Sequence, residues 1–160
     1  MKFIVDHNVG KLAKWLRMMG YDTFFFTGED DWEMVIKALN EDRIVLTKDT
    51  GIMRMGVVLS GKLKAVRINS DKPEEQIKQV IDTLELDGES ELFTICLECN
   101  QPLEKRTPEE VKDRVPPFVF NTQKEFMECP SCNKVFWKGT HWQAMLERLE
   151  EIMNGETDVE

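Results

Sequence analysis

The chain has 160 residues, enough for one compact domain plus a small module that burial alone would not hold together. Hydrophobic residues make up 41% and charged residues 32% of a sequence whose formal net charge is −9, a globular composition that argues against non-specific electrostatic capture of nucleic acid. Its apolar runs are too short to span a bilayer and Asp6 comes too early for a signal-peptide core, so we expect a cytoplasmic protein without a membrane partner.

The first 88 residues alternate between strand-like and helix-like patterns. Runs rich in β-branched and aromatic residues fall at 3–5, 23–26, 43–47 and 63–68, and helical apolar spacing is found at 9–19, 30–39, 52–59 and 74–84. Strands that alternate with helices form a mainly parallel sheet with helices on both faces. We therefore predict an α/β domain of three layers over residues 1–88.

The pattern changes after a polar linker at 87–91. Residues 92–154 hold all four cysteines and five of the six prolines, and no helix is predicted before Gly139. From there, apolar residues at 142, 145, 146, 149 and 153 predict an amphipathic C-terminal helix. Residues 92–154 are thus predicted to form a second, smaller module.

The cysteines occur in two matching knuckles, each followed by an asparagine suited to a left-handed turn. Paired Cys-x-x-Cys knuckles are typical of a tetrahedral zinc site, here with the ligands Cys96, Cys99, Cys129 and Cys132. Three other interpretations of the cysteines are possible. Two disulfides would require an oxidising compartment. A redox-active pair would need only one knuckle, and a rubredoxin-like iron centre would use the same four ligands. We expect a structural zinc ribbon, because four thiolates close the coordination shell and leave no position for substrate.

Three aspartates occur where a parallel sheet would bring them together. Asp6 ends the first strand, Asp49 follows the third, and Asp31 opens the second helix, which Asp30 is expected to cap. Singly, each could be only a strand-end or cap residue. Together, they would repel one another unless a cation lay between them, and oxygen ligands favour Mg²⁺ or Mn²⁺. Such an ion can activate water against a phosphodiester, so we predict that Asp6, Asp31 and Asp49 are catalytic metal ligands.

Several other side chains have a functional and a structural interpretation. The basic residues of the first helix and Arg54 could steer RNA or simply be solvated. Asn8, beside Asp6, could line the cleft or cap the first helix. A further set of aromatic residues could stack on RNA bases or form the core of the ribbon, namely Phe136, Trp137 and Trp142.

Motifs along nearly the whole chain resemble those of one family. They are 6–12 with 15–22, Asp31 with Ala38, 43–49, the two cysteine knuckles, and 135–142. In combination they are similar to the Mut-seven C-terminal RNase domain family, a branch of the PIN-like nucleases. The resemblance implies a PIN-like fold, a C-terminal zinc ribbon, and metal-dependent (endo)ribonuclease activity through Asp6, Asp31 and Asp49.

The resemblance also implies that Arg17 and Lys48 lie near the scissile phosphate. Lys48 stands where the family pattern has arginine. The lysine keeps the positive charge but cannot bind a phosphate through two parallel hydrogen bonds, as arginine does. No fourth acidic residue of the PIN site is assigned. The sequence thus predicts a ribonuclease acting on RNA with Mg²⁺ or Mn²⁺. The alternative is a non-catalytic RNA- or protein-binding adaptor stabilised by a zinc ribbon, and an iron centre for electron transfer is a third possibility.

Overall fold

The computed structural model describes residues 1–87 and 92–155, and its first half is a four-stranded parallel sheet with helices on both faces. The three-layer α/β prediction is confirmed. The predicted domain boundary and most of the linker lie outside the described residues. The elements are β1 (Lys2–Val5), a 3₁₀ turn (His7–Val9), α1 (Gly10–Met18), β2 (Thr23–Phe25), α2 (Asp31–Glu41), β3 (Arg43–Thr47), α3 (Thr50–Met53), α4 (Gly56–Leu59), β4 (Ala65–Arg67) and α5 (Pro73–Leu84).

The strand order is β2-β1-β3-β4, and all neighbouring pairs are parallel. The chain therefore goes from β1 to β2 on one side and then crosses to place β3 on the other side of β1. This reversal leaves a crevice beyond the carboxyl ends of β1 and β3. Since Val5 pairs with Leu46, the next residues, Asp6 and Thr47, face each other at this crevice.

Successive residues of β1 point to opposite faces of the sheet, and each face has its own apolar cluster. One cluster joins β1 to α1 and α5 through residues that include Phe3, Val5, Leu12, Leu16, Ile77 and Val80. The other joins β1 and β3 to α2 and α3 through Ile4, Met34, Val35, Ala38, Val45 and Ile52. Helices cover both faces of the sheet, and this packing holds the strands and their ends in place.

The single helix predicted over 52–59 is two one-turn helices in the structure. Met55 interrupts the helical backbone with an extended conformation, φ −64° and ψ 142°. Met55 also packs against the second cluster, and glycine at 51 and 56 lowers the helix propensity of the segment. The helix is consequently interrupted between α3 and α4.

The second half of the chain contains a three-stranded antiparallel sheet in the order β5-β6-β7. The prediction of no helix before Gly139 is wrong, because α6 and α7 begin with Pro108 and Pro117 at the first helical position, where a missing N–H costs nothing. The elements are β5 (Glu104–Arg106), α6 (Pro108–Val111), a 3₁₀ turn (Lys112–Arg114), α7 (Pro117–Thr122), β6 (Phe126–Glu128), β7 (Val135–Phe136) and α8 (Thr140–Met153).

The C-terminal helix α8 forms as predicted but packs against the first half of the chain. Leu149 and Ile152 are fully buried in the cluster that contains Phe3 of β1. Arg148 also forms an ion pair with Glu74 of α5. Residues at the far end of the sequence therefore complete the first core. Among the helices of the described ranges, none is both long and apolar enough to cross a membrane.

Candidate carboxylate site and metal centre

Asp6 and Asp49 are connected by one buried hydroxyl at the carboxyl edge of the sheet. The Thr47 Oγ1 donates to Asp6 Oδ2 at 2.7 Å and accepts from the backbone N–H of Asp49 at 2.9 Å. The other oxygen of Asp6, Oδ1, accepts from the backbone N–H of Asn8 at 3.0 Å. Both oxygens of a carboxylate that is only 8% exposed are thus oriented. Thr47 was not predicted from the sequence. The one indication of its role is that it is a polar residue at the end of an apolar strand.

Asp31 lies beside these two aspartates at the start of α2. Its pKa is raised above the ordinary value by burial, by a hydrogen bond with Asp49, and by the charges of Asp49, Asp6 and Asp30. Asp30 caps the helix as predicted, since its Oδ1 accepts from the Trp32 N–H at 2.8 Å. The three predicted residues thus lie close enough to influence one another electrostatically, and their role as metal ligands stays a prediction.

The donor chemistry of this edge suits a hydrated hard cation. In the described part of the chain, only the four cysteines form a group of three or more potential ligands with all donor atoms within 4.8 Å of one another. The carboxylate oxygens of the three aspartates are therefore spaced more widely than the cysteine sulfurs. Mg²⁺ characteristically keeps several waters and is held by one or two carboxylates. A set of three neighbouring carboxylates fits such an ion.

Three predicted contact residues lie on or next to elements that begin or end at this edge. Lys48 forms an ion pair with Asp71, in the loop that follows β4. Arg54 is exposed at the end of α3, the helix that Asp49 caps through the Gly51 N–H. Asn8 is exposed next to Asp6. The roles of Lys48, Arg54 and Asn8 stay predictions.

Arg17 has a different position, because the structure does not bring it to the edge where the aspartates lie. It lies near the end of α1, and its Nε and Nη2 donate to the carbonyl of Thr23, the first residue of β2, at 3.0 and 2.9 Å. This is the amino edge of the sheet, opposite the aspartates. Its Nη1 donates to the Leu97 carbonyl at 2.8 Å, and the residue is 7% exposed. Arg17 therefore joins α1, β2 and the first cysteine knuckle.

The four cysteine sulfurs form a compact cluster at that amino edge. They all lie within 4.8 Å of one another, with 4.0 Å between Cys96 Sγ and Cys132 Sγ, and no disulfide joins them. A zinc–sulfur bond of about 2.3 Å corresponds to a tetrahedral edge of roughly 3.8 Å, so the spacing fits zinc. Burial raises the pKa of the Cys96 thiol to about 12, and a bound cation is what would favour its thiolate.

The first knuckle is hydrogen-bonded to the parallel sheet. Asn100, which follows Cys99, has the left-handed backbone predicted for it, with φ 61°. Its Oδ1 accepts from the Thr23 N–H at 2.8 Å, and its Nδ2 donates to Asp22 Oδ1 at 2.5 Å. Burial opposes ionisation of Asp22, but hydrogen bonds from Arg43 and Asn100 outweigh it and lower its pKa. The knuckle is therefore an integral part of the amino edge.

Comparison with protein families matched residues 1–149 to the Mut7-C RNAse domain. The match includes the whole parallel sheet, both knuckles and most of α8. Comparison with curated proteins found no match, nor did comparison with solved structures.

Proposed function

The chain belongs to the Mut7-C RNAse domain family, and on that premise we propose that it hydrolyses RNA phosphodiester bonds with a divalent cation held by Asp6, Asp31 and Asp49. The observation that carries the proposal is their convergence beyond the carboxyl ends of β1 and β3, where the chain reverses direction across the sheet. This is the position at which open α/β sheets bind their ligands.

In this proposal the polypeptide supplies orientation and charge. Thr47 and the Asn8 N–H hold both Asp6 oxygens, so this carboxylate enters the site in one fixed orientation. The ion would supply an activated water and charge neutralisation at the phosphate. The exposed guanidinium of Arg54 would attract the RNA backbone, and Lys48 lies next to Asp49 and forms an ion pair with Asp71.

We further propose that the four cysteines bind zinc in a structural role. Four sulfur ligands complete a tetrahedron and leave no coordination position for water or RNA. The knuckles also lie at the edge of the sheet opposite the aspartates, as the contacts of Arg17 and Asn100 with Thr23 indicate. Zinc would accordingly support the fold, and the carboxylate edge would carry the chemistry.

Cleavage of RNA by the 160-residue chain tests this assignment. The purified protein is incubated with single-stranded and structured RNA over a series of Mn²⁺ concentrations, without chelators, which would also attack the cysteine site. We expect cation-dependent cleavage that Asp6→Asn lowers at least a hundredfold. The matched control is Asp82→Asn, an exposed aspartate of α5 that pairs with Lys78. Equal cleavage by Asp6→Asn and the parent would refute the catalytic role.

The same assay separates the nuclease from the adaptor alternative. The wider spacing of the aspartates, relative to the cysteines, is the observation that favours an adaptor. RNA binding without turnover at every Mn²⁺ concentration would support it. A circular RNA substrate also decides the mode of cleavage, because only an endonuclease can open a molecule that has no ends.

A further inference from the structure

A second candidate binding surface lies between α1, the cysteine module and α8. It is a groove with a cavity volume of about 480 Å³, within the range of roughly 300–1,000 Å³ found for ligand sites. We call it the ribbon groove. Its lining is mainly apolar and includes four aromatic residues, Phe93, Phe136, Trp137 and Trp142.

Three of the four aromatic side chains of the ribbon groove, Phe93, Trp137 and Trp142, pack against another ring. The rings of Phe93 and Trp142 pack edge to face with centroids 5.7 Å apart. Trp137 packs against Phe126 of the module's own core at 6.3 Å. Trp137 thus belongs to the core as well as to the groove wall. The rings form a preorganised surface, which reduces the entropy lost when a flat ligand stacks on it.

The charge around the ribbon groove is opposite to that of the whole chain. Lys14 and Lys134 line it, and Lys138 Nζ lies 5.5 Å from the Phe93 centroid and 5.3 Å from the Trp142 centroid. Glu98 is the one acidic residue of the lining and pairs with Lys134. Glu125 lies 3.7 Å from Lys138. Lysines next to partly buried rings therefore outnumber the acidic residues locally, although the formal net charge is −9.

Exposed lysines continue from the ribbon groove toward the aspartates. α1 starts just after Asp6 and its 3₁₀ turn and ends near the cysteine module, so it connects the two edges of the sheet. Its nine residues are about 13 Å long. Lys11 and Lys14 are both exposed and lie one turn apart on the same side of this helix.

We propose that the ribbon groove binds unpaired bases of single-stranded RNA, whose backbone then follows Lys11 and Lys14 along α1 to the aspartates. Stacking rings interleaved with lysines are the recognition chemistry of single-stranded nucleic acid, because rings stack on any base and lysines bind phosphates. A purely apolar partner would gain nothing from Lys14, Lys134 and Lys138. The inference rests on the proposed function in one respect, since it names the substrate class of that site.

Binding of a fluorescent single-stranded RNA, measured by anisotropy, tests the groove directly. The Asp6→Asn background keeps the RNA intact during the titration. We expect Trp142→Ala to weaken binding about tenfold, because it removes one base–ring stack, and Trp142→Phe to restore most of it. Lys138→Ala should weaken binding about threefold and reduce its salt dependence. A duplex of the same sequence should bind less tightly than the single strand.

Two variants of the same module serve as matched controls. Phe118 and Lys124 are exposed and lie outside the groove lining, so Phe118→Ala and Lys124→Ala should bind RNA like the parent. If Trp142→Ala unfolds, the binding affinity of Lys138→Ala and ultraviolet crosslinking of RNA to the parent protein test the proposal instead. We expect the crosslinks on peptides that contain Phe93 or Trp142. The proposal is overturned if Trp142→Ala and Lys138→Ala both bind RNA like the parent. It is also overturned if the parent binds duplex more tightly than single-stranded RNA, or binds no RNA.

The outcomes for the groove and for the catalytic site are distinguishable. Groove-dependent binding by a parent protein that never cleaves RNA would leave the groove standing and refute the ribonuclease. Cleavage that depends on Asp6 but is accompanied by unaltered binding in Trp142→Ala and Lys138→Ala would refute the groove alone.

Discussion

The side chain of Asn100 accepts a hydrogen bond from the backbone N–H of Thr23 at 2.8 Å, across 77 residues of sequence. This bond attaches the first cysteine knuckle to β2, the edge strand of the parallel sheet. The second knuckle ends in Asn133, which has nearly the same backbone, φ 60°, and is exposed. Two asparagines in equivalent turns therefore differ in what their side chains do.

We predict that Asn100→Gly destabilises the protein more than Asn133→Gly. Glycine accepts the left-handed backbone, so each change isolates the side chain. Loss of the Asn100 bonds to Thr23 and Asp22 should cost about 1–3 kcal/mol, or roughly 2–10 °C in Tm, and Asn133→Gly should cost less than 1 kcal/mol. Thermal unfolding of the metal-loaded variants measures both. Equal Tm losses would contradict the docking role of Asn100.

Replacing Thr47 should impair the carboxylate edge without disturbing the core. Thr47→Val keeps the shape of a fully buried residue but removes the hydroxyl that joins Asp6 to the Asp49 N–H. We expect a stability loss of about 1–3 kcal/mol and a reduced RNA cleavage rate at saturating Mn²⁺. Thr47→Ser retains the hydroxyl and should keep most of the cleavage rate. Indistinguishable rates for the valine and serine variants would show that the hydroxyl does not orient Asp6.

Neutralising Asp31 should stabilise the cation-free protein. Burial and the neighbouring Asp49, Asp6 and Asp30 raise its pKa above 3.8, so the folded state holds its proton more tightly than the unfolded state. Stability is therefore lost as pH rises through the raised pKa, and Asp31→Asn should have a higher Tm than the parent at neutral pH. This gain should shrink as pH falls toward 3.8.

Addition of Mn²⁺ should reverse that ranking, because the parent gains binding free energy that the variant cannot. The control is Asp30→Asn, since asparagine caps a helix as well as aspartate and removes only a flanking charge. The measurement is Tm over a matrix of pH and Mn²⁺ concentration. An Asp31→Asn protein that Mn²⁺ stabilises as much as the parent would exclude Asp31 as a ligand.

Metal analysis should find one zinc ion per chain, released by titration of the thiols with an organomercurial. We expect Cys96→Ser to lose the metal and to lower Tm, since metal binding and folding of the ribbon are coupled. Zinc is quantified colorimetrically during the titration. Coloured protein containing iron, or four reactive thiols with no metal released, would rule out the structural zinc site.

The features that could be predicted from the sequence depend on local pattern. Strands that alternate with helices dictate a parallel sheet, and its carboxyl ends gather residues that follow strands, which is why the placement of Asp6 and Asp49 at one edge could be predicted. The cysteine knuckles are likewise encoded in a short spacing. In both cases the candidate residues, aspartates or cysteines, can be recognised from the few residues next to them in the sequence.

The features that escaped prediction depend on contacts between distant segments. Arg17 lies on a helix with an evident apolar face, but its partner Leu97 is 80 residues away, so the charge looked available to substrate. Pro108 and Pro117 looked like helix breakers, whereas each begins a short helix. Thr47 gave only the weak signal of a polar residue in an apolar strand.

The burial of Leu149 and Ile152 against the core of β1 has a consequence for protein synthesis. A ribosome delivers the strands of the parallel sheet well before α8. The emerging polypeptide must therefore carry an incompletely covered apolar surface beside α5 until α8 has also left the exit tunnel. Premature termination upstream of Leu149 would yield a product that proteases and chaperones recognise, even though every aspartate of the carboxylate edge is already present.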